Sequence, residues 1–321
     1  MLSRINDSHT GLFYYTVGAP DPAIGENGDL AIDVSTSLWT FWKKASGVWV
    51  LQSPLVGPAV TTREFLSANT IFYVRSDGSD ANDGRADSVG TSAGAFATWQ
   101  GAFDSVSRRF DFRGYTVTLK KGAGGSGTFS AGMIIGGWVG GGQITIDGIA
   151  STGCAINSSA TCIETAVGVA GPVNVKNIKL VSTAYCVYAP AGTINIGNDV
   201  EFGAAQSHII ARNAGAVINV TASTIKISGS AFGHISADAG AVIHYDSNAV
   251  TISTSPTFSA FAVVTGCGTI FSSGSTFTGT VNGSRFLAVS GGNIWTGGAG
   301  DTYFPGTSAG AAVAADFSKY S

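Results

Sequence analysis

From residue 141 onward the chain alternates apolar and polar positions in short runs, most of them preceded by Gly or Ala-Gly. The runs are Gln143-Ile144-Thr145-Ile146, Pro172-Val173-Asn174-Val175, Thr193-Ile194-Asn195-Ile196, Val217-Ile218-Asn219-Val220, Val242-Ile243-His244-Tyr245, Thr269-Ile270-Phe271 and Asn293-Ile294-Trp295. Taking Ile144, Val173, Ile194, Ile218, Ile243, Ile270 and Ile294 as anchors gives spacings of 29, 21, 24, 25, 27 and 24 residues. A second run precedes an anchor, as in Tyr185-Cys186-Val187-Tyr188 and His208-Ile209-Ile210-Ala211, and a third follows one, as in Thr224-Ile225-Lys226-Ile227. Three short strands in about 25 residues predict one coil of a parallel β-helix. Alternate residues of each strand then point inward and stack on their counterparts one coil away, at about 4.8 Å. A β-sandwich is the alternative, but sandwiches seldom repeat one local pattern seven times at near-constant spacing.

Before the repeat the pattern changes twice. Phe96, Trp99, Gln100, Phe103, Val106 and Phe110 share one face at helical spacing, predicting an amphipathic helix over 96–110 that closes the N-terminal end of the stack. Further upstream, Gly28 to Asp33, Leu38 to Lys44 and Val48 to Leu51 read as strands of a small aromatic β-meander, with Gly47 in a turn. Pro54, Gly57 and Pro58 mark a linker. The expected fold class is therefore all-β, a parallel β-helix solenoid with an N-terminal capping helix and a small β-meander. The expected organisation is meander and linker over 1–60, a lead-in and capping region over 61–140, the β-helix over 141–300 and a closing segment over 301–321.

Charge sharpens this picture. Of 321 residues 45 are Gly and only 37 are charged, with 23 of those charges in the first 140 positions, leaving a weakly charged β-rich remainder. Such a surface is expected to be covered in part by another chain. A net charge of -3 without a basic run argues against nucleic acid as a partner. No apolar stretch approaches the roughly 20 residues of a membrane-spanning helix, and residues 1–7 lack the apolar run of a signal peptide. Cys154, Cys162, Cys186 and Cys267 form no C-x-x-C pair and are expected to be buried thiols rather than zinc ligands.

Three passages resemble bacteriophage tail-fibre and tailspike proteins with a pectate-lyase-like right-handed β-helix. They are Gly18-Ala19-Pro20 with Gly25 to Asp33 and the Trp-bearing hairpin; Arg63 to Val74 with Asp77 to Gly84 and Ala95 to Phe103; and Tyr303-Phe304-Pro305-Gly306-Thr307-Ser308-Ala309-Gly310. With the repeat, the likeness covers most of the chain. It implies a homotrimer in the virion, made in the host cytoplasm, whose N-terminal region docks to other virion proteins. The β-helix would meet host-surface polysaccharide or another receptor. Trp39, Phe41, Trp42 and Trp49 would then belong to the virion anchor. The alternative within the same fold is a polysaccharide depolymerase, a glycoside hydrolase or lyase; an exported bacterial adhesin is a third reading.

A hydrolase needs two carboxylates about 5–10 Å apart. Asp199 and Glu201 lie two residues apart, and register places Asp246 two coils away, so these three are the catalytic candidates; for a lyase, Lys226 and Arg212 are the candidates to neutralise a uronate. Solvated polar faces are the alternative for all of them. Tyr185, Tyr188, Tyr245 and Trp295 are candidates for stacking on sugars, whereas Phe261 is expected in the core. His208 and His234 occupy matching coil positions and are expected to be packed or surface side chains rather than metal ligands. Asp77, Asp80 and Asp83 have calcium-like spacing, but without a distal Glu a Gly-Asn-Asp turn is favoured. No cofactor is expected.

Overall fold

The computed structural model describes residues 13–33, 40–52 and 63–321, and the chain forms two compact units, 1–62 and 63–321.

In the first unit, strands Phe13–Thr16, Leu30–Asp33, Thr40–Ala45 and Val48–Leu51 form one sheet in chain order. The last three make the expected antiparallel meander, while Phe13–Thr16 is an added strand, parallel to Leu30–Asp33. Ser46 and Gly47 both have positive φ (52° and 82°), the conformation whose twist suits a two-residue hairpin. Lys44 is buried, with Nζ donating to the carbonyls of Pro22 and Ile24 at 2.7 and 2.6 Å beneath the Trp49 ring. Trp49 in turn donates from Nε1 to Asp21 O at 3.0 Å. The half-buried Phe41 and Trp42 stand opposite Ile32 and Ala31; Trp39 lies outside the described residues.

The second unit is a parallel β-solenoid. Its first sheet has ten strands, from Thr70–Val74 to Lys319–Tyr320, and contains all the anchor runs. The second has seven, from Thr128–Phe129 to Thr276–Thr278; the third has eight, from Met133–Ile135 to Ala311–Ala312. Each coil visits the three in turn, as in Thr193–Ile196, Val200–Phe202 and Ser207–Arg212. The seven anchors are successive Cα partners, Ile144 to Val173 to Ile194 to Ile218 to Ile243 to Ile270 to Ile294, and all are buried. The first sheet extends beyond them, to Val117 on one side and Tyr320 on the other. The polar residues between anchors point outward. There Asn195 donates from its amide to Asn174 and Asn219 to Asn195, each at 2.9 Å.

The helix is shorter than its apolar face suggests, Trp99–Arg109. Phe96 is extended instead: its N–H donates to Tyr73 O at 2.9 Å and its carbonyl accepts from Arg75 N at 2.8 Å. Phe110 pairs with Glu64 in a short strand. The helix starts where Thr98 Oγ1 accepts from Gly101 N at 2.9 Å, with Asp80 binding the N–H groups of Ala97 and Thr98. Ring burial thus follows the period of a helix beyond the residues that are helical: Phe96 bonds a neighbouring strand instead, and Phe110 closes the last turn through its N–H to Val106 O but is itself extended. Gly84 is required beside this cap: φ is +75°, and a Cβ there would lie 2.2 Å from the buried Phe96 ring.

The third-sheet strands carry two successive inward residues, His208 with Ile209, His234 with Ile235 and Phe261 with Ala262, all fully buried. One N–H···N hydrogen bond of 3.0 Å joins the Nδ1 atoms of His208 and His234, and His234 Nε2 meets Tyr245 Oη at 3.0 Å. Phe202, Phe258 and Phe261 surround the pair. Desolvation pushes His208 down to about 3 and His234 well below the ordinary imidazole value. Tyr245 is therefore a core residue, and the expectation that it stacks on sugar is corrected. Its side chain is inward because it stands two positions beyond the inward Ile243. Cys154, Cys162 and Cys186 are buried as expected, whereas Cys267 is exposed in a turn at φ +61°.

Two stability outcomes follow. Ile218→Ala should lower the unfolding free energy by about 2–5 kcal/mol in guanidinium titrations, and the outward Asn219→Ala by far less. The unfolded chain takes up protons on both histidines below pH 6.5 while the folded core refuses them, so stability is complete above that value and declines as pH falls. Between pH 6.5 and 4.5, His208 contributes about 2 kcal/mol of that decline, and His208→Leu should remove this part.

Candidate functional site

The outward positions of the third sheet form the column Glu164, Tyr188, Ile210, Ser236, Val263 and Leu287, one residue per coil. Ile210, Ser236 and Val263 face away from the core yet are only 6–7% exposed, because they floor a groove of about 320 Å³. Tyr185 and the half-exposed Phe232 line the groove together with Gln206. A polar rail also lines it: Arg212 Nε bonds Asp238 at 3.1 Å, and Thr265 Oγ1 donates to the same carboxylate at 2.6 Å. The hydroxyl of Ser236 is buried without a hydrogen-bond partner. Aromatic faces, an apolar floor and convergent polar groups are the makings of a small-ligand site, and ring faces beside hydroxyl-binding groups suit a pyranose.

The residues singled out from the sequence are distributed unevenly about this groove. Tyr185 lines it, and its ring lies 5.2 Å from that of Tyr188. Arg212 belongs to its rail. Trp295 is 45% exposed on the first sheet, edge-on to Phe271, which stacks on His244. Phe232, Ser236 and Asp238 were not singled out. Phe232 sits in the turn before a strand, where periodicity carries no information, and Ser236 and Asp238 are made significant only by the coils on either side.

Asp199, Glu201 and Asp246 do not form one constellation. Asp199 bonds Lys226 Nζ at 2.6 Å and both the N–H and hydroxyl of Ser151; Glu201 bonds Lys179 Nζ and Ser228 Oγ, each at 2.6 Å. Burial acts to raise both carboxyls, but these partners prevail and hold them below the usual range. Asp246 is engaged on the first sheet by the N–H and hydroxyl of Ser273. Asp199 and Glu201 are thus ionised at neutral pH, and neither is poised as the protonated acid that glycoside cleavage needs.

Asp77, Asp80 and Asp83 are likewise divided among separate partners: Asp77 with Arg75, Asp80 at the helix N-terminus, and Asp83 with the N–H and guanidinium of Arg85. Among the described residues no group of three or more His, Cys, Asp or Glu is placed to hold a metal ion.

Compared with known proteins, the chain matches no family model, no curated protein and no solved structure.

Ser236→Ala should leave the thermal midpoint equal to or above that of the wild type, because a buried hydroxyl without a partner costs free energy. A drop of several degrees would show that the hydroxyl supports the fold.

Proposed function

We propose that the chain is a structural subunit of a bacteriophage tail fibre or spike that attaches to host-surface carbohydrate through the third-sheet groove. The observation that carries this reading is the groove itself: an apolar floor on the outside of a rigid solenoid, with Tyr185 and Phe232 beside an Arg212–Asp238–Thr265 rail. A stacked solenoid suits a projecting device, because each coil is braced by its neighbours over the whole length. The low charge and the aromatic N-terminal meander support a homotrimer whose first 60 residues, with Trp39, Phe41, Trp42 and Trp49, join it to other virion proteins.

Binding is favoured over cleavage. The acids nearest each other in sequence, Asp199 and Glu201, are neutralised by Lys226 and Lys179, which suits a stable surface rather than proton transfer.

The test is binding of purified full-length chain to a panel of bacterial surface glycans. Phe232→Ala and Tyr185→Ala should each weaken the best binder at least about tenfold, the loss of one stacking face, with an unchanged circular dichroism spectrum. Sedimentation should give three times the chain mass. Wild-type affinity retained in both variants would remove the groove from the reading, and release of reducing ends by the wild type would replace attachment with depolymerisation.

A further inference from the structure

The carboxylates on the solenoid strands or in the turns next to them have partners: Asp147 with Lys176, Asp199 with Lys226, Glu201 with Lys179, Asp238 with Arg212, and Asp246 with Ser273. Asp301, in the loop after Asn293–Trp295, has none among the described residues but is exposed to solvent. Glu164 is the exception on a strand. Among the described residues no hydrogen bond or ion pair reaches its side chain. It is nonetheless half-buried, facing outward between the fully buried Ile163 and Thr165, and burial raises its carboxyl above the ordinary value. A partly desolvated charge without a partner is unfavourable, so its retention on a structural face calls for an explanation.

Its surroundings supply one. On the next coil its Cα partner is Tyr188. The Tyr188 ring lies 5.2 Å from that of Tyr185, tilted by 53°, and Tyr185 lines the groove. Groove, two aromatic rings and free carboxylate therefore follow one another along one face of the solenoid. Ring faces beside a carboxylate attract a cation and not an anion: the π faces supply a negative quadrupole and the carboxylate a full charge. The groove's own guanidinium is taken up by Asp238, so the complementary positive charge has to come from the ligand.

We infer that Glu164, Tyr185 and Tyr188 form a cation subsite continuous with the groove, selecting a glycan that bears a free, unacetylated amino group. This rests on the attachment reading above and adds the chemical class of sugar to it. The ammonium would lie against the tyrosine rings and pair with Glu164, while its pyranose extends toward Phe232.

The experiment is calorimetric titration of full-length chain with a short chitosan oligosaccharide and the matching chitin oligosaccharide, in buffer that keeps the amine protonated. The wild type should bind chitosan at least about tenfold tighter. Glu164→Gln should abolish that preference, hold chitin affinity within about twofold, and melt no lower than the wild type, since it removes a charge without a partner. Phe232→Ala should weaken both sugars. Equal wild-type affinities, or a preference that survives Glu164→Gln, would overturn the cation subsite while leaving the groove in place. Failure of the wild type to bind either sugar also overturns the subsite, and the attachment reading is then decided by its own glycan panel. A change of oligomeric state in Glu164→Gln would assign the carboxylate to a cation of a second copy and overturn the inference.

Discussion

The structure depends on in-register parallel pairing. No coil can bury its apolar residues alone; each becomes a core only when the next lays the same kind of side chain over it. The line from Ile144 through Ile218 to Ile294 is the visible result, and it constrains both faces. Once an anchor points inward, its neighbours along the strand point out, and the outward residues are forced into columns of their own. The asparagine ladder, the His244–Phe271–Trp295 stack and the groove are consequences of the same register.

Polar groups inside the stack are tolerated where coils bring partners together. His208 and His234 would each be an isolated buried base; one coil apart they share a hydrogen bond, and Tyr245 satisfies a second ring nitrogen. Outside, the same stacking puts Lys179, Glu201 and Lys226 in one column, with Asp199 beside it. Half-exposed pairs of this kind contribute little to stability. Their effect is to leave the second sheet with neutralised charges, whereas the third sheet keeps an open groove and a free carboxylate.

The site is assembled from several coils, none of which contains it. Tyr185, Ile210, Ser236 and Val263 come from four successive coils. The solenoid holds these separate segments in one arrangement because each coil is braced by its neighbours. The same geometry places Glu164, which is remote in the chain from Phe232, on a continuous path with it.

The repeat, the identity of the inward anchors and the existence of a capping helix were legible in the chain, because a solenoid makes every strand face the same requirement and so writes it periodically. The inward side of Tyr245 is set by the same alternation, two positions beyond Ile243. The ends of the helix were not legible: Phe96 keeps the helical spacing but bonds the backbones of Tyr73 and Arg75, and Phe110, whose N–H still closes the last turn on Val106 O, leaves the helix for a strand beside Glu64, which is distant in sequence. Nor was the groove, whose floor consists of outward residues that one strand would display to solvent. Which outward residues are covered, and which charges find partners, depends on neighbours one coil above and below; local pattern determines the coil, and stacking determines its surface.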